Sequence, residues 1–233
     1  MKINYIWEHN NNDTLIYFPD YIGAFVRGEN KNAALKKANK EIISYMNWLK
    51  LDCQLENPTY NMIQEHSTKL SVCDADTEII FKSEKSSLNY SEYKRLKNLS
   101  IYSASSFKQL YNSIENKLIK NPNSHITFYG NMPSTPKEIY DHTKEINEFY
   151  FSKINIQIES NQDILKERIK AFETFEKSQK IISNEVYNDN DNEEWTISKI
   201  CRRFIWHDRI HAKSMYKLAL KYSKASNVFQ FQL

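Results

Sequence analysis

The sequence predicts an α+β chain of two domains, a small antiparallel sheet with a helix over residues 1–82 and an antiparallel four-helix bundle over residues 83–233. Three observations predict it. Apolar residues alternate in short runs before residue 82, then recur every three or four residues from about residue 89. Strong helix-start and helix-stop residues punctuate the second half. Apolar residues make up 40% of the 233 and aromatic residues 13%, enough to fill a core, so bulk disorder is excluded.

In the first half, Ile3, Tyr5 and Trp7 alternate onto one strand face, and the polar run Glu8 to Asp13 makes a turn. Leu15 to Phe18 reads as a second strand and Phe25-Val26 as a third, separated by Pro19-Asp20 and Gly23. Asn30 is the expected N-cap of a helix whose stripe is Leu35, Ala38, Ile42, Tyr45/Met46 and Leu49. After Pro58, extended runs are expected around Met62 to Glu65, Lys69 to Val72 and Glu78 to Phe81.

The first bundle helix carries Leu96, Leu99, Ser103, Phe107, Leu110, Ile114 and Leu118 on one face and stops at Asn121-Pro122. The second opens with Thr135-Pro136-Lys137-Glu138, a Ser/Thr-x-x-Glu start with Pro at the first helical position. The third is expected over about Asn161 to Tyr187, with Leu165, Ile169, Phe172, Ile182 and Val186 inward. An acidic, Asn-rich loop follows from Asn188 to Glu194, and the fourth helix runs from about Thr196 to Tyr222. Four amphipathic helices with one long crossover describe a four-helix bundle.

Several functional classes are excluded by composition. The three glycines, Gly23, Gly28 and Gly130, cannot build a G-x-G-x-x-G turn. Gly23 and Gly28 have P-loop spacing, but Glu29-Asn30 stands where Lys-Ser/Thr is required. A net charge of +3, from 32 basic and 29 acidic residues, provides no electrostatic footprint for nucleic acid. No run approaches the roughly 18–20 apolar residues of a membrane helix, and Met1-Lys2-Ile3-Asn4-Tyr5 lacks a secretory apolar core. Cys53, Cys73 and Cys201 are odd in number and widely spaced, as expected of reduced thiols in the cytoplasm rather than of a disulfide framework or a Cys-based zinc site.

The histidines are the informative residues. On the fourth helix the inward stripe is Ile200, Phe204, His207, His211, Met215, Leu218 and Tyr222. His207 and His211 are four residues apart, so their Cβ atoms lie roughly 5–6 Å apart on one face, where two imidazoles can share an ion. On the second helix the stripe Ile139, His142, Ile146, Phe149 carries a third. Three imidazoles from two facing helices can supply part of a coordination shell and leave positions for water or substrate. The same three residues would also serve as a polar pocket lining or as hydrogen-bonded core residues. His9, His66 and His125 are read as surface residues. Asp208 and Arg209 are expected off the inward face, as surface or interface residues. Asp141 and Glu145 are read as solvated acids, with partnership to a His N–H as the alternative; Trp195, Trp206 and Tyr150 are read as core, with pocket lining as the alternative.

The segment Glu194-Trp195-Thr196-Ile197-Ser198 through Trp206-His207-Asp208-Arg209-Ile210-His211 resembles the last helix of the DinB/YfiT-like superfamily. Thr135-Pro136-Lys137-Glu138-Ile139-Tyr140-Asp141-His142 resembles the second helix of the same bundles. Together the likeness extends over roughly residues 80 to 225. It implies a divalent transition metal (Zn, Ni or Fe) held by His142, His207 and His211. It also implies, as in the thiol transferases of that superfamily, an ion that activates a thiol or water against a small-molecule substrate. A homodimer is a further expectation of the resemblance.

Tyr17-Phe18-Pro19-Asp20-Tyr21-Ile22-Gly23, with Gly28-Glu29-Asn30 and the helix Ala33 to Leu49, resembles a HicB-type fold. HicB proteins add a DNA-binding segment where this chain has its helices, so DNA binding is not carried over. The module is expected to be an interaction, sensing or dimerisation surface. Asp20 and Glu29 are read as turn residues.

Overall fold

A computed structural model describes residues 1–74, 76–122, 126–127, 130–158, 162–178 and 183–222. These fall into two compact units, one spanning Met1–Ser83 and the other beginning at Glu84. The first holds a small mixed sheet, and six helices are present among the described residues of the two units.

The sheet is formed by β1 (Lys2–His9), β2 (Thr14–Tyr17), β3 (Phe25–Gly28) and β4 (Thr59–Ser67), in the order β3-β2-β1-β4. β1–β2 and β2–β3 are antiparallel, but β4 runs parallel to β1, so the wholly antiparallel sheet expected from the sequence is corrected to a mixed one. The parallel pairing needs a long crossover, which α1 (Lys31–Leu35) and α2 (Ala38–Trp48) supply. The side chain of Asn30 accepts the Ala33 N–H, as its N-cap role requires. The single helix expected there is two, divided at Lys36 and Lys37.

Between Tyr5 and Ile6 the pairing of β1 with β4 slips, so that Tyr5 faces Met62 and Ile6 faces Gln64. The buried phase of β1 changes at the same point, from Ile3 and Tyr5 to Ile6 and Glu8. Trp7 therefore leaves the face expected of it and is only half-buried. The carboxylate of fully buried Glu8 accepts hydrogen bonds from the Tyr17 hydroxyl and the Thr77 hydroxyl, and from the Glu78 and Ile79 amides. Residues Lys69 to Val72 and Glu78 to Phe81 are not strands; Val72–Asp74 is a 3₁₀ turn.

The second unit is built from α3 (Tyr90–Ser113), α4 (Pro136–Ser152), α5 (Ile164–Lys177) and α6 (Ile197–Tyr222). α3 packs against α5 and α6, and α4 packs against the same two. Capping boxes open α3 (Asn89 with Glu92) and α4 (Thr135 with Glu138), while Asp163 caps α5. Thr196 accepts the Lys199 amide at the start of α6.

Several expected extents are corrected. α3 ends at Ser113, where Ile114 turns extended, so Leu118 lies outside it and is exposed. α5 stops at Lys177; Val186 is exposed, and Asn161 and Ile182 lie outside the described residues. Its buried stripe is Ile164, Arg168, Ala171/Phe172 and Phe175, one residue before the expected Leu165 and Ile169. The Asn-rich segment carries a two-stranded turn, β7 (Tyr187–Asn188) with β8 (Glu194–Trp195), organised by Asp189. One Asp189 oxygen accepts the Asp191 and Glu193 amides, and the other accepts Lys153 Nζ and Trp195 Nε1. A further two-stranded ladder joins β5 (Ile126–Thr127) to β6 (Gly130–Asn131). Among the described residues no helix is long and apolar enough to cross a membrane.

Candidate metal centre

α6 is the central helix of the second unit. From Ile197 to Arg209 nearly every residue is buried, including Lys199, Arg202, His207, Asp208 and Arg209. A helix covered on most sides presents its side chains to several neighbours at once. Its charged residues must then find partners inside the protein.

His207 and His211 project from α6 one turn apart, and their Nε2 atoms are 3.2 Å from each other. His142 projects from α4, with its ring centroid 5.1 Å from that of His207 and 4.8 Å from that of His211. The buried stripe of α4 is Ile139, Thr143, Asn147 and Tyr150/Phe151, which puts half-buried His142 on its margin and leaves Phe149 exposed, against the expected stripe. One ligand atom from each of the three histidines lies within 4.8 Å of the others, so the cluster could hold a metal ion. Among the described residues no Cys or carboxylate belongs to that cluster.

Two nitrogens bound to one ion at ~2.0–2.1 Å in a tetrahedral shell sit about 3.3 Å apart. The His207–His211 separation already has that value, and a shift of about 1.5 Å or less brings the third nitrogen into the same shell. Burial lowers the pKa of His207 well below its ordinary value, helped by the adjacent His211 and His142. Burial, with His142 beside it, lowers His211 to about 3. Burial lowers His142 as well, while the nearby Glu145 carboxylate opposes it. All three rings are therefore neutral at neutral pH, and each keeps the lone pair a metal needs.

The shell around the cluster is aromatic on its inner side. Tyr150 meets His207 edge-on with centroids 6.3 Å apart, and packs against Phe204 at 5.2 Å. Tyr150 is buried, which raises its phenol pKa, with Arg203 opposing. Arg203, one turn before His207, stands over the rings of Trp206 at 4.8 Å and Tyr150 at 5.5 Å. Trp195 and Trp206 are core residues, as expected. Among the described residues no hydrogen-bond partner reaches the buried Nδ1 of His207, so on that side of the ring no described acceptor orients it.

Asp208 and Arg209 are the main correction at the site. Expected off the inward face as surface or interface residues, both are buried at 1% exposure. Asp208 receives two hydrogen bonds from the Arg168 guanidinium of α5, at 2.5 and 3.2 Å. The helical period put Asp208 off the stripe correctly, but from Ile197 to Arg209 α6 has almost no free side. Arg168 has one signal in the sequence, its place between Ile164 and Phe172 on the buried stripe of α5, a charged residue where an apolar one belongs.

Asp141 is held by Lys137 at 2.5 Å on the exposed side of α4, and Glu145 is exposed. Cys201 is fully buried with its thiol pushed up to about 12 by burial, which leaves it protonated and inert. Buried Lys199 is lowered to about 8 by burial, partly offset by Glu193 at 2.8 Å. His9 is not a surface residue: its side chain is 12% exposed, stacks on Trp7 with centroids 4.1 Å apart and meets Glu65. His66 is half-buried against Glu78, and His125 lies outside the described residues. Comparison with family models, curated proteins and solved structures finds no match for this chain.

Proposed function

We propose that the second unit is a metal-dependent enzyme of the DinB/YfiT-like type, acting on a small-molecule substrate as a transferase or hydrolase. In this reading His142, His207 and His211 hold one divalent transition ion, Zn, Ni or Fe. The carrying observation is the convergence of three neutral imidazoles from two helices, with no Cys or carboxylate in the cluster among the described residues. A donor set of three imidazoles suits these ions and leaves coordination positions for exogenous ligands. When bound, such an ion lowers the pKa of a thiol or water that reaches it and so supplies a nucleophile at neutral pH.

The chain's own residues have simpler tasks. His207 and His211 present two nitrogens at fixed spacing because consecutive turns of one helix set it. His142 supplies the third from α4, so the centre also ties α4 to α6. Tyr150, itself packed on Phe204, lies edge-on against His207 and keeps water from that side of the ring. Burial keeps protons off the three rings and so keeps their lone pairs available.

One observation favours a second reading, a metal-binding or protein-interaction module without catalysis. Among the described residues, none accepts from His207 Nδ1, where an acceptor usually orients and tunes a metal-bound imidazole. In that reading the HicB-like first unit is the surface for a ligand or protein partner.

Elemental analysis of the full chain, purified without a chelator or His-tag, tests the proposal alongside His142→Ala. About one equivalent of transition metal, lost in the variant, is the expected result. Absence of metal after exposure to Zn, Ni and Fe in turn overturns it. Metal uptake without turnover in thiol-transfer and hydrolase assays selects the second reading.

A further inference from the structure

Interdigitated apolar side chains resist sliding between helices, and a buried polar contact specifies their register more sharply still. A slide of one residue moves a side chain by about 1.5 Å. A metal shell tolerates distance errors of only about 0.2 Å. Something must therefore set the axial position of α4, which carries His142, against α6, which carries His207 and His211.

Arg168 of α5 is placed to do this. Its guanidinium is fully buried and is bonded to each of the other three helices of the unit. Nε donates to Asn147 Oδ1 of α4 at 2.8 Å. Nη1 donates to the Ser100 carbonyl of α3 at 3.2 Å and to Asp208 Oδ2 of α6 at 2.5 Å. Nη2 donates to Asp208 Oδ1 at 3.2 Å. The cation also lies over the Phe204 ring of α6, 3.9 Å from its centroid. Asn147 is itself braced, donating Nδ2 to the Ile164 carbonyl at the start of α5 at 3.2 Å.

The positions of these partners matter. Asp208 follows His207 directly on α6, and Asn147 lies five residues beyond His142 on α4. The guanidinium is planar, with donors in a rigid fork, so it records the relative position of the two acceptors. A slide of α4 against α6 breaks the bond to Asn147 or the fork on Asp208. We infer that Arg168, through Asn147 and Asp208, is a positioning residue that fixes the register at which His142 meets His207 and His211. This inference rests on the metal reading above, and it adds a residue that touches none of the three histidines' ring nitrogens.

The pair need not serve stability. Replacing a buried ion pair by apolar residues of similar volume is often neutral or stabilising. That separates positioning from mere structure. The test uses the metal-free full chain, titrated with Co²⁺ and followed by its visible ligand-field bands, with denaturant unfolding measured in parallel. In Arg168→Met/Asp208→Leu the expected result is a folded protein of parental or greater stability, with altered bands and Co²⁺ affinity weaker by roughly tenfold or more. Parental bands and affinity in the folded double variant overturn the positioning role while leaving the metal centre standing. A parent that binds neither Co²⁺ nor Zn²⁺ removes the metal reading and this inference with it. Where the double variant does not fold, Asn147→Ser cuts the bonds of α4 to Arg168 and to the Ile164 carbonyl and leaves the fork on Asp208 intact. Altered bands in folded Asn147→Ser support the role, and parental bands and affinity overturn it.

Discussion

Nε2 of His207 faces Nε2 of His211 at 3.2 Å, one turn apart on a helix buried on most of its surface. Two neutral imidazoles at that distance either share one proton or present two lone pairs to a cation between them. The third imidazole, from α4, stands in the same cluster, which could hold a metal ion.

Removing either ring should remove the ion while leaving the helices packed. His207→Ala and His211→Ala are expected to lose transition-metal retention by at least an order of magnitude, with unchanged far-ultraviolet circular dichroism. Competition titration against a chromogenic chelator measures this, and parental affinity in either variant would remove that residue from the ligand set.

The metal-free protein should lose stability on mild acidification. His211 is lowered from its ordinary 6.5 to about 3, and His207 and His142 are lowered too, so the folded state stays neutral where the unfolded chain takes up protons. Stability is therefore full above pH 6.5 and falls below it, His211 approaching a slope of about 1.4 kcal/mol per pH unit between its ordinary value and about 3, with His207 and His142 acting in the same direction. Denaturation midpoints of the parent between pH 7 and 5 should drop more steeply than those of His211→Phe. Equal slopes would show that His211 is protonated in the fold.

Glu84 and Arg202 form a second buried pair, with the carboxylate accepting from Nε and, at 3.0 Å, from Nη2. Glu84→Ala takes the bidentate carboxylate from a guanidinium 3% exposed. The expected loss is about 3 kcal/mol by urea unfolding. A loss below about 1 kcal/mol would mean that the remaining contacts of Arg202 suffice.

The start of α4 is a local device, and its removal should have a local cost. Thr135 accepts the Glu138 amide at 3.1 Å while Glu138 returns a bond to the Thr135 amide at 3.2 Å. Thr135→Ala should destabilise the protein by about 1 kcal/mol, and Thr135→Ser by much less. Equal losses in the two variants would assign the effect to the methyl group instead.

In the first unit, Gly28 closes β3 against α1. A Cβ at this position would lie 2.7 Å from the Ala34 amide nitrogen and 3.1 Å from Ala33 C, both backbone atoms that cannot swing aside. Gly28→Ala is expected to cost about 1–3 kcal/mol, read from the thermal or urea midpoint. A neutral result would mean that strand and helix separate freely there.

What could be read in the chain is what local physics encodes. The capping boxes and caps at Asn30 and Thr135 act within a few residues, so residue type and spacing state them directly. The pairing of His207 with His211 follows from helical period alone, and the α+β class follows from alternation giving way to that period. The fold decided the rest through contacts between distant segments. Nothing near β4 states that it lies parallel to β1, because backbone pairing carries no local mark of its partner. Burial of Asp208 likewise depends on Arg168, 40 residues away, arriving from another helix. A charge is read as exposed until its partner is known, since only that partner offsets the cost of taking it out of water. The histidines were legible one helix at a time; their meeting at one point required the packing of α4 on α6.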